Sequence, residues 1–151
     1  MRFKFRAQAA LELRQREYDE AQRLLARAQV NQRAARTALE ETSAAVAGAR
    51  QRTADAMAVM DAGTPIGWYR SWMVRLQHER AACAQVAASR DAETAQAAAA
   101  CERTRQRVEA LERFRDKARA AWDAALQADE QKQMDALATL RFAGRRSGTP
   151  S

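Results

Sequence analysis

The fold class this sequence predicts is all-α: a long antiparallel two-helix coiled-coil hairpin. Three observations predict it. Ala fills 38 of 151 positions against 5 Gly and 2 Pro, so the turns a sheet needs at short intervals cannot be supplied. The strong helix formers Ala, Arg, Gln, Glu, Leu and Met dominate in their place. A 3-4 spacing of seam residues is sustained through the first part of the chain, as in a coiled coil. Most of the 47% hydrophobic content is Ala, so large apolar side chains are too sparse for a thick globular core.

The elements follow in order as one hairpin domain over residues 1–143. Helix 1 spans about 3–61, and one seam runs Leu11, Tyr18, Leu25, Gln32, Leu39, Val46, Thr53, Met60. The other seam, four residues earlier each time, is mostly Ala, from Ala7 to Ala56, which suits helices that approach closely. Gly48, in the middle of the helix, marks a soft point, costing about 1 kcal/mol relative to Ala. The turn falls at 61–67, where two of the five Gly and the only internal Pro sit together. Helix 2 spans about 68–142 with a less regular seam, broken at Arg80, Arg90 and Arg115 and thin between 81 and 101. Residues 144–151 read as a disordered tail. At 1.5 Å per residue the helices are about 90 and 110 Å long, so helix 2 overhangs helix 1 by about 15 residues.

Chemistry has little foothold. With one His (His78) and no CxxC, P-loop or Gly-rich phosphate loop, no catalytic residue, metal site or cofactor is expected, and the chain does not read as an enzyme. Cys83 and Cys101 lie 18 residues apart on one helix, too far to bridge, which fits a reducing cytoplasmic compartment. No run is long and apolar enough to span a membrane, and the start Phe3-Lys4-Phe5-Arg6 is unlike a signal peptide. The formal charge is +7, but 26 bases alternate with 19 acids along both helices, and no stripe of one sign marks a nucleic-acid surface.

Two clusters stand apart. Trp68, Tyr69 and Trp72 gather beside the turn, where they either staple it by folding onto Met57 and Met60 or present an apolar patch to a partner. Where both chain ends meet, Phe3, Phe5 and Arg6 come together with Arg119 and Trp122. Met134, Leu137 and Leu140 lie on the overhang, beyond the reach of helix 1.

Certain stretches match a known family. The basic-aromatic start Phe3-Lys4-Phe5-Arg6, the run Asp19-Glu20-Ala21-Gln22-Arg23-Leu24-Leu25 and the break at 61–67 followed by aromatics occur in that order. Leu111-Glu112-Arg113-Phe114 and Gln131-Lys132-Gln133-Met134-Asp135-Ala136-Leu137-Ala138 complete the pattern. In these the chain resembles the FliJ family of flagellar type III export proteins, over about 1–142. The resemblance implies a non-catalytic stalk and activator of the hexameric flagellar export ATPase. It also implies contacts with the cytoplasmic domain of the export-gate membrane protein and with export chaperones. By the same resemblance Tyr69, Trp72 and Leu76 are candidate gate contacts, and Phe3, Phe5, Arg6, Arg119, Met134 and Leu137 candidate ring contacts. It implies a cytoplasmic protein held peripherally at the inner membrane by the basal body. Neither nucleic acid nor membrane insertion is expected. The alternatives are an injectisome stalk of the YscO type and a generic coiled-coil scaffold or nucleic-acid binder.

Overall fold

The computed structural model describes residues 2–59, 63 and 65–148. Two helices account for nearly all of them: α1, Gln8–Ala58, and α2, Ile66–Arg146, of 51 and 81 residues. There is no strand among the described residues, and the fold is an all-α antiparallel two-helix coiled coil. Three of the seven residues of the expected turn (Asp61, Ala62, Thr64) lie outside the described residues, as do Met60 and the last three residues of the tail.

The helix bounds differ from expectation at all four ends, with α1 stopping at Ala58 rather than about 61. Residues 2–5 are not helical; in an extended segment Phe3 and Phe5 share a face, and both rings reach α2. Pro65 precedes α2 and its carbonyl accepts from the Trp68 and Tyr69 amides at 3.1 and 3.3 Å, so the helix starts at Ile66 rather than 68. At the far end α2 continues through Gly144 to Arg146, where Arg145 and Arg146 in the last turn favour the negative end of the helix dipole.

The seam of α1 is unbroken. Every described seam position of α1, from Leu11 to Ala56, is buried or half-buried. On α2 two of the three expected breaks are filled: Arg80, Arg90 and Arg115 all fall on the same 3-4 register as Cys83, Ala87, Thr94 and Val108, but only Arg90 and Arg115 are covered there. Arg90 and Arg115 are half-buried, with long stems that pack while the guanidinium reaches Glu93 or Asp116. Arg80 is exposed and its Nε donates to Ser43 Oγ at 3.1 Å.

Contacts divide the chain into two compact units, 1–16 with 105–151, and 17–104. In the second unit the buried residues are Ala21, Ala35, Val46, Ala49 and Ala87. Side chains this small contribute little burial, and polar bonds between the helices supplement them. Asp91 Oδ1 accepts from Gln32 Nε2 at 2.8 Å and from Arg36 Nη2 at 3.0 Å. Thr94 Oγ1 lies 3.2 Å from the Ala28 carbonyl. The pairs 28/94, 32/91 and 43/80 run in opposite directions along the two helices, as antiparallel packing requires.

In the first unit Leu11 and Val108 are buried, and Leu11 at 1% exposure is the one large side chain fully enclosed among the described residues. Phe3 packs on Trp122 with ring centroids 5.9 Å apart, and Phe5 on Phe114 at 5.6 Å. Beyond Trp122 every described residue of α2 is exposed, from Asp123 to Gly148. The free stretch is thus longer than the expected overhang, because α1 begins five residues later and α2 runs four residues further.

Candidate partner-binding surfaces

Among the described residues no group of His, Cys, Asp or Glu could hold a metal ion. His78 is exposed, and Cys83 and Cys101 are free, half-buried seam thiols. No helix among the described residues is long and apolar enough to cross a membrane. What the molecule offers is open clefts beside aromatic side chains.

The aromatic cluster at the start of α2 belongs to the second unit. Trp68 stacks on Trp72 at 5.4 Å and meets the edge of Tyr69 at 5.0 Å, while Tyr69 and Trp72 lie 6.3 Å apart. Positions 68, 69 and 72 fall on adjacent faces of the first two turns, so the rings gather on each other. Trp68 stays 59% exposed, whereas Tyr69 and Trp72 are half-buried. With Arg52, Asp55, Ala56 and Val59 of the facing segment the rings line an open cleft of about 640 Å³. Trp72 also borders a second cleft of about 310 Å³, together with Leu76, Ala45 and Gly48. Gly48 leaves room there: a Cβ at that position would meet nothing within 4 Å.

All three candidate gate residues therefore lie along connected clefts. The Met60 half of the alternative staple lies outside the described residues, and Met57 is 42% exposed. Arg52 and Asp55 were not apparent from the sequence, since nothing in a run of charged helical residues says which of them faces the aromatics.

The other surface lies in the first unit. Phe3, Phe5 and Arg119, with Lys4, Arg115 and Asp116, line an open cleft of about 640 Å³. Arg115 is tied to the neighbouring Asp116 at 3.3 Å, so Lys4 and Arg119 leave the cleft net basic. Arg6 is exposed on the turn leading into α1 and does not line the cleft. Met134 and Leu137 do not join this cluster: both are more than half exposed, and Met134 is about 18 Å further along α2 than Trp122. Five of the six candidate ring residues thus form two patches, an aromatic-basic cleft and an apolar stretch of bare helix, and Arg6 belongs to neither.

The fold is thus that of a two-helix coiled-coil protein, with an Ala-rich seam and open aromatic-lined clefts. Within that class a family model described as the flagellar FliJ protein matches residues 3–147, nearly the whole chain. The chain belongs to the flagellar FliJ protein family. No curated protein and no solved structure matched it.

Proposed function

We propose that this chain is a non-catalytic component of the flagellar type III export apparatus, acting as the central stalk and activator of the hexameric export ATPase. The observation that carries the reading is the family match over residues 3–147. The surfaces support it. A seam of small side chains builds a slender helix pair, and mixed charge along it gives no single locking register against a surrounding ring.

In this reading Phe3, Phe5 and Arg119 engage the ATPase ring through the aromatic-basic cleft, Arg6 from the exposed turn before α1, and Met134 and Leu137 through the bare helix. Tyr69, Trp72 and Leu76 engage the cytoplasmic domain of the export gate, and export chaperones bind the same protein. The chain works in the cytoplasm, peripherally associated with the inner membrane at the basal body.

The test is hydrolysis by the cognate export ATPase with and without this protein, at two salt concentrations. Stimulation at stoichiometric levels is expected. No stimulation of an ATPase shown to form rings overturns the proposal.

A further inference from the structure

The stretch of α2 from Asp123 to Gly148 combines an uncovered apolar face with a polarised charge pattern. Leu126, Leu137 and Leu140 recur at helical spacing and, with Met134, occupy a stripe about 120° wide. Their exposures run from 40% to 69%, too high for side chains already packed on the molecule. Residues 123–135 carry Asp123, Asp129, Glu130 and Asp135 against one base, Lys132, whereas 136–148 carry Arg141, Arg145 and Arg146 and no acid. Asp123, Glu130 and Arg141 project on one side of the leucine row, between it and Met134, and Arg145 lies just beyond Met134 on the same side.

We infer that this segment pairs with the same segment of a second copy of the chain, antiparallel, about a two-fold axis near Gln133. In that arrangement Leu126 of each copy lies opposite Leu140 of the other, with Met134 and Leu137 filling the centre. Asp123 and Glu130 of one copy then border Arg141 and Arg145 of the other on the same flank. A parallel arrangement sets the acidic half of each copy alongside the acidic half of the other, and basic half alongside basic half, so repulsion between like charges selects the antiparallel one. The acidic half and the basic half of one short helix complement each other only across such an axis. The inference does not rest on the export reading, because it concerns the purified chain alone. It bears on that reading, since the dimer covers Met134 and Leu137.

The experiment is the solution mass of the full chain by light scattering and sedimentation over graded concentration, at low and high salt. The mass is expected to rise with concentration toward twice the 16.9 kDa of one chain and to fall back as salt is added. The double variant Arg141→Glu/Arg145→Glu should remain at the single-chain mass with unchanged helicity. Mixing it with Asp123→Arg/Glu130→Arg should restore the doubled mass, although neither variant doubles alone. A chain that stays at 16.9 kDa throughout overturns the inference. So does a dimer indifferent to the charge reversals, which would be held by another surface.

Discussion

Gln32 and Asp91 meet across the two helices, Nε2 donating to Oδ1 at 2.8 Å, in the stretch where the seam is poorest in large side chains. Buried Ala35 and Ala87 lie close by on the same seams, and methyl groups alone discriminate weakly between one register and its neighbours. A directional bond between a seam amide and a carboxylate supplies what they lack. Arg36 adds a second donor, with Nη2 3.0 Å from the same oxygen.

These partners hold the Asp91 carboxyl below its ordinary pKa, chiefly through the Gln32 hydrogen bond; burial opposes it, and the Arg36 charge and hydrogen bond add smaller lowering effects. Because the folded value is lowered, the stability Asp91 contributes is present above the ordinary Asp range. It is lost as pH falls below about 3.9 toward the folded value. Thermal melts of the wild type and Asp91→Asn should differ near neutral pH and converge in acid. A gap that persists unchanged in acid would show that the carboxylate charge is irrelevant.

Gly48 lies inside α1 with open space where its Cβ would be. Gly48→Ala should therefore stabilise the protein by about 1 kcal/mol, through helix propensity and a less flexible unfolded chain. Urea denaturation checks this by a raised midpoint at constant slope. The same methyl narrows the cleft beside Trp72, so gate capture by this variant measures how far that cleft is used.

Leu11 is enclosed, 1% exposed, in a unit with few other large buried side chains. Leu11→Ala should cost about 3 kcal/mol, within the range for a core Leu replaced by Ala. Leu13, on the opposite side of the helix and 51% exposed, should tolerate the same change with less than about 0.5 kcal/mol lost. Equal losses at the two positions would contradict the seam assignment.

Trp72→Ala should weaken capture of the export-gate cytoplasmic domain by tenfold or more, as removal of a central aromatic anchor does. Trp68 is more exposed, so Trp68→Ala tests the same surface with less effect on packing. Far-UV circular dichroism should stay unchanged for both. Loss of helicity in Trp72→Ala alone would show that this ring serves the core.

Truncation after Ala128 removes only exposed residues, since nothing described from Asp123 onward is buried. The melting midpoint of the remaining chain should shift little, while stimulation of the export ATPase is abolished. Retained stimulation would exclude Met134 and Leu137 from the ring contact.

The sequence by itself determined the helices and their seams. Helix propensity and a 3-4 repeat are local properties, so Leu11, Val46 and Ala49 were legible as core positions from spacing alone. The repeat even continues at Arg90 and Arg115, where residue type had suggested a break: an arginine stem packs as an apolar chain, which a polarity pattern does not register, whereas Arg80 in the same register stays exposed. The tertiary structure decided the rest. Phe3 and Phe5 leave the helical pattern because Trp122 and Phe114, more than a hundred residues away, offer their rings a surface. Which acid answers Gln32 depends on the register between the two helices. The clefts beside Trp72 and Arg119 likewise exist only where separate segments meet. A periodicity reports which face of a helix turns inward; what that face meets is settled by packing.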